Sequence, residues 1–122
     1  GPFPSELNDE MGELLRKEGS EFGATTGRPR RCGWLDLPQL KYTVMLNGVT
    51  QLAITKMDVL DRFPEIKVAT QYRYGGIISQ NLPYDICNYD IKPLYMSIEG
   101  WQKSLDGISQ YADLPEAVQL YV

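Results

Sequence analysis

The sequence predicts an α/β fold, with a parallel layer, flanking helices and a small antiparallel strand pair. Three observations point there. A capped amphipathic helix opens the chain. A second capped helix runs straight into a short apolar segment. Two β-branched, aromatic segments then follow, separated by turn-forming residues.

Residues 5–18 carry Leu7, Met11, Leu14 and Leu15 at the i, i+4, i+7 and i+8 spacing of one helical face. Ser5 is expected to cap this helix and Gly19 to end it. A second helix is expected over residues 37–46. Asp36 and Gln39 sit at capping-box spacing, Pro38 suits the first turn, and Asn47-Gly48 stops it. The apolar run Val49 to Thr55 reads as a buried strand, which would complete a parallel α/β layer. Lys56-Met57-Asp58 would then lie just past its carboxyl end, where open α/β sheets bind ligands. Residues 66–74 and 93–99 read as paired strands. Between them, residues 75–92 hold Gly75-Gly76, Asn81, Pro83 and Asn88, and read as an irregular or hairpin connection. Leu114-Pro115-Glu116 opens a last helix with no stop signal before Val122, as expected of a segment of a longer chain. The chain is taken as one segment: a helix-loop-helix-strand part over 1–62, a small β-rich part over 63–113, and a helix start over 114–122.

Bulk properties narrow the function. The 122 residues suffice for one modest core. A formal net charge of −4 gives no overall electrostatic footprint for nucleic acid. No apolar run approaches a membrane span. Residues 1–20 lack the apolar stretch of a secretory leader. Cys32 and Cys87, far apart in such a chain, are expected to be reduced thiols of a cytoplasmic protein. There is no histidine. That excludes Ser-His-Asp, Cys-His and His-ligated zinc chemistry, and removes the usual neutral-pH acid or base. No Gly-rich phosphate loop ending in Lys-Ser or Lys-Thr is present.

Two groups carry chemistry. The first lies in residues 19–33, which hold four glycines and three arginines. Within it, Thr25-Thr26-Gly27-Arg28-Pro29-Arg30-Arg31 combines hydroxyls, a glycine that admits close backbone approach, and guanidinium forks. Such a set can cradle a carboxylate or phosphate, at about 1.5–3 kcal/mol per charge-assisted hydrogen bond. Around Pro29 an extended backbone would place Arg28 and Arg30 on one side and Arg31 on the other. Arg28 and Arg30 are therefore expected to share one ligand, with Arg31 in another role. The competing explanation is a solvated basic loop paired with local carboxylates. A nucleic-acid loop is disfavoured by the acidic remainder and the absence of interleaved aromatics.

The second group is Thr55-Lys56-Met57-Asp58. An Asp carboxylate accepts from both N1–H and the N2 amino group of guanine, a pattern adenine lacks, and a Lys stem can lie along a purine ring. A capped turn at a strand end explains the same residues without a ligand.

The continuous stretch EFGATTGRPRRCGWLD, residues 21–36, resembles the signature of the adenylosuccinate synthetases. GPFPSEL at 1–7, TKMDVLD at 55–61, GW at 100–101 and LPEAVQLYV at 114–122 are similar to that family in the same order, with the thinnest similarity over 75–92. The resemblance implies a fragment of a larger, mostly parallel sheet with flanking helices. It implies a GTP-dependent carbon–nitrogen ligase of purine (AMP) biosynthesis that joins IMP to L-aspartate, uses magnesium, and is a homodimer when full-length. The IMP 6-oxygen is phosphorylated first, and the aspartate amine then displaces phosphate. By likeness, Ala24, Thr25, Thr26, Gly27, Arg28, Pro29 and Arg30 would bind aspartate. Arg28 would also touch IMP, and Arg30, Lys56, Met57 and Asp58 would contact GTP. The family's catalytic acid and base, phosphate loop and magnesium ligands belong to other parts of its longer chain. The segment alone is therefore expected to be inactive, with no catalytic and no metal-binding residue of its own. The alternative function is a free-standing, non-catalytic module that binds a guanine nucleotide or a carboxylate.

Overall fold

The computed structural model describes residues 2–86 and 88–122. Its elements in chain order are α1 (Glu10–Glu18), β1 (Leu35–Asp36), α2 (Leu37–Asn47), a 3-10 turn (Met57–Leu60), β2 (Glu65–Tyr74), β3 (Ile77–Ser79), β4 (Lys92–Glu99), a second 3-10 turn (Tyr111–Asp113) and α3 (Glu116–Tyr121). The class is mixed α/β, as expected.

The central strand is β2. β1 runs parallel to it, pairing Leu35 with Val68. β3 returns antiparallel after Gly75-Gly76, pairing Tyr74 with Ile77. β4 lies antiparallel along β2 from Glu65–Glu99 to Arg73–Lys92, with a bulge between Ala69 and Gln71. Because β4 spans the registers used by both β1 and β3, those two strands must share the opposite edge of β2. The expected antiparallel pair is thus present, and residues 75–79 form the hairpin side of the expected connection.

Two expectations are corrected. Residues 49–55 form no strand. They run without regular structure, and Leu52 and Ile54 are at least half exposed. Both edges of β2 are already occupied, so the segment finds no partner there, and β propensity without a partner fixes nothing. The parallel contact of the sheet comes instead from β1, a two-residue strand just ahead of α2. The second correction concerns α1. It starts at Glu10, capped by Asp9, whose side chain accepts from Gly12 N at 3.0 Å. Ser5 is not a cap: it is fully buried, and its hydroxyl donates to Trp34 O at 2.9 Å. α2 keeps its expected signals. Asp36 Oδ1 accepts from Gln39 N at 3.1 Å, and Gly48 closes the helix in the left-handed region.

One core joins segments distant in sequence: Leu15, Trp34, Phe63, Ile66, Trp101 and Val118. Trp34 meets Phe63 edge-on at 5.8 Å between ring centroids. Trp101 is fixed by its indole N–H, which donates to Asp61 Oδ1 at 2.8 Å, while Asp61 Oδ2 accepts from Leu105 N. Cys32 is a free thiol, raised above its ordinary pKa mainly by burial. Cys87, the other half of the thiol expectation, lies outside the described residues. Among the described residues no helix is long and apolar enough to cross a membrane.

Candidate functional site

The basic loop leaves the end of α1 and folds back as a small hairpin. Phe22 and Pro29 form an antiparallel bridge. Gly23 N donates to Arg28 O at 2.9 Å, Gly27 N to Gly23 O at 2.8 Å, and Arg30 N to Glu21 O at 3.0 Å. The tip, Ala24 to Pro29, is exposed. Gly27 sits at φ 65, a conformation that strains an L residue. Thr26 Oγ1 accepts from Arg28 N at 3.3 Å and steadies the turn.

The segment after the loop is held by the first residues of the chain. Ser5 reaches Trp34, Leu7 N donates to Cys32 O at 3.0 Å, and Glu6 bridges to Gly33. This approach needs glycine: a Cβ at Gly33 would lie 2.1 Å from Ser5 O. Two stretches that lie apart in sequence, 2–7 and 31–36, are therefore one packed unit.

The arginines divide as follows. Arg30 Nη1 donates to Glu21 Oε2 at 3.0 Å, and its carbonyl accepts from Arg16 Nε at 2.8 Å. Arg31 Nη1 donates to Glu6 Oε2 at 3.0 Å, a separate partner on a separate segment. The Arg28 guanidinium has no ion pair among the described residues and stands in solvent. A bound anion would therefore meet Arg28 free and Arg30 restrained.

Lys56 follows the irregular segment rather than a strand. Its backbone is left-handed at φ 60, and it caps the turn Met57–Leu60. Nζ donates to Gly19 O at 2.6 Å and to Glu21 Oε1 at 2.5 Å. Met57 packs against the core. Asp58 is exposed, and its carboxylate makes no ion pair among the described residues. Arg30, Lys56 and Met57 line one cleft of about 460 Å³ with Glu21, Trp34 and Tyr121. Ala24 to Pro29 and Asp58 lie outside its lining.

Glu21 was not singled out from the sequence. Its signal was a lone acid at the root of a three-arginine loop. Its carboxyl is held below the usual carboxylate range, first by the Lys56 hydrogen bond and then by that of Arg30.

Among the described residues no group of three or more acidic, cysteine or histidine side chains converges on a point that could hold a metal. The magnesium implied by the family likeness thus finds no ligand set among the described residues.

Comparison with known proteins agrees along the full length. A family model described as adenylosuccinate synthetase matches residues 1–122. The adenylosuccinate synthetase of Cytophaga hutchinsonii is 52% identical over 122 residues, covering 99% of this chain and 28% of that protein. That of Koribacter versatilis is 52% identical over 123 residues, covering 100% of this chain and 28% of that protein. A fully ligated adenylosuccinate synthetase from Plasmodium falciparum superposes with a TM-score of 0.89 at 35% identity, over 99% of this chain and 30% of that one. The chain spans a little over a quarter of the length of these relatives, and it belongs to the adenylosuccinate synthetase family.

Proposed function

We propose that this chain is the part of an adenylosuccinate synthetase that holds L-aspartate and the guanine base of GTP. The whole enzyme is a GTP-dependent, magnesium-using ligase of purine (AMP) biosynthesis, cytoplasmic and homodimeric, that forms adenylosuccinate from IMP and L-aspartate. The observation that carries the reading is the convergence of Arg30 with Lys56 and Met57 on one cleft. Residues from the carboxylate loop and from the base-recognition segment meet there, although Arg30 and Lys56 lie 26 positions apart in sequence.

In this reading Thr25, Thr26 and Gly27, with the free guanidinium of Arg28, receive the aspartate carboxylates, within the loop Ala24 to Arg30. Arg28 also reaches IMP. Arg30 lies between aspartate and GTP. Lys56 and Met57 flank the purine, and Asp58 accepts from guanine N1–H and N2. Arg28 and Asp58 are exposed and without an ion pair among the described residues, which supports these roles, since neither side chain there must break such a pair before engaging a ligand. Their work is to bind and orient, which fixes the attacking amine against its target. Proton and phosphoryl transfer fall to residues elsewhere in the longer enzyme.

The test uses a full-length synthetase carrying this segment. Asp58→Asn replaces one acceptor oxygen by a donor facing N1–H or N2. A paired acceptor of this kind gives about 1–3 kcal/mol of base discrimination. The KM for GTP is therefore expected to rise roughly 5- to 150-fold, with the KM for aspartate unchanged. An unchanged KM for GTP would remove Asp58 from the base site.

A further inference from the structure

The two oxygens of Glu21 engage two different segments. Oε2 accepts from Arg30 at the base of the basic loop, and Oε1 accepts from Lys56, 35 positions away. The bridge is embedded in fixed backbone at three points. Arg30 N donates to Glu21 O, so the loop closes on the residue that holds its guanidinium. Arg30 O is held from behind by Arg16. Lys56 Nζ is anchored a second time on Gly19 O, next to the end of α1. The Glu21 side chain is 25% exposed, while Lys56 and Arg30 are 53% and 59% exposed, so the bridge is partly solvated and owes its definition to the backbone anchors on both sides of it.

We propose that Glu21 is a positioning residue that couples the basic loop to the Lys56–Asp58 segment, so that occupancy of one site strengthens binding at the other. The proposal rests on the function proposed above. The Lys56 ammonium is tied at the root of the loop, to Gly19 O and Glu21, while the residue lines the cleft. Arg30 keeps one edge of its fork on Glu21 and has its remaining N–H groups for a ligand. A displacement of either segment pulls on the shared carboxylate and therefore on the other segment. A ligand that fixes the loop then also fixes Lys56, and by linkage the reverse holds to the same degree.

The test again uses a full-length synthetase carrying this segment, here with Glu21→Gln. Glutamine keeps the size and one acceptor oxygen, and loses the charge and the second acceptor. The reading is the affinity for a non-hydrolysable GTP analogue, with and without saturating L-aspartate in the presence of IMP. In the parent enzyme aspartate is expected to tighten the analogue by a factor within the usual span of about 5–150. In Glu21→Gln that factor is expected to fall to within about twofold of one, with KM for both GTP and aspartate raised and kcat little changed. Lys56→Met cuts the bridge from the other end. It should abolish the same factor, and the double variant should lose no more than either single one. A coupling factor in Glu21→Gln equal to the parent's overturns the proposal. So does a uniform loss of activity and melting temperature with the factor intact. If Glu21→Gln does not fold, Lys56→Met decides alone by the same criterion. A parent that binds neither the analogue nor aspartate refutes the proposed function itself, whereas a parent that binds both with no coupling refutes only the role of Glu21.

Discussion

At the residue scale, the most constrained polar group is Asp36. One of its oxygens caps α2 and also accepts the Tyr72 hydroxyl, in a pair that is buried between β1 and β2. The other oxygen is buried with no partner among the described residues. Removing a donor from such a group costs more than the lost bond, because the carboxylate remains desolvated. Tyr72→Phe is therefore expected to lower stability by about 1–3 kcal/mol, read as a lower urea midpoint with an unchanged slope. Burial first, and then the bond to Asp36, raise the Tyr72 phenol well above its ordinary value of 10.0. A raised folded-state value holds its stabilisation below about pH 10 and loses it as pH rises further, because the unfolded chain releases the proton first. Alkaline titration of stability should show a decline above pH 10 that is shallower in Tyr72→Phe. Glu21 has the opposite sign. Its depressed carboxyl stabilises above its unfolded value of 4.5 and loses that effect as pH falls below it. An acid titration should show Glu21→Gln missing that part of the decline.

At the element scale, what the sequence made legible was what local signals decide. The Asp36 and Gly48 caps bounded α2 within a residue. β2 and β4 were visible because Ile66, Val68, Tyr72 and Ile98 are β-formers facing a core. The strand expected over residues 49–55 failed because Leu52 and Ile54 carry no information about whether a neighbouring strand is free. β1 was missed because two residues show no period. Ser5 was misread because a buried hydroxyl and a helix cap look alike in sequence. The candidate site residues stood out by their chemistry, and Glu21 did not, since Lys56 reaches its carboxylate only when it folds back beside the loop. Two glycines separate loop function from loop assembly. Gly27→Ala adds a Cβ that meets nothing within 4 Å, so its cost is the left-handed backbone alone, about 1–2 kcal/mol. In the full-length enzyme it should raise the KM for aspartate and leave the melting temperature nearly unchanged. Gly33→Ala drives a Cβ against the Ser5 carbonyl, and should instead lower the melting temperature, with insoluble protein as the extreme outcome.

At the scale of the whole molecule, the proposed function separates groups that bind from groups that react. This chain holds a cleft with Arg30, Lys56 and Met57, an exposed Arg28 and Asp58, and no histidine. It spans 28% of the length of its C. hutchinsonii relative. Positioning the substrates gives little turnover unless the groups that move phosphate and protons are also placed against them. The 122-residue chain incubated with IMP, L-aspartate, GTP and magnesium is accordingly expected to give no adenylosuccinate above a Lys56→Ala/Asp58→Ala control. Turnover above that control would show that the reactive groups are here after all. The same chain exposes apolar side chains on several segments: Leu46 on α2, Leu52 and Ile54 on the irregular run, and Ile77 and Ile78 on β3. Both Ile77 and Ile78 lie on a three-residue strand paired to β2 on one side. Exposed apolar patches and open strand edges favour association. Sedimentation of the isolated chain should therefore show mass rising with protein concentration. Ile77→Lys with Leu52→Ser should suppress that rise. A single monomeric species across the concentration range would mean that these side chains are tolerated in water, and that the chain is self-sufficient as a folded unit.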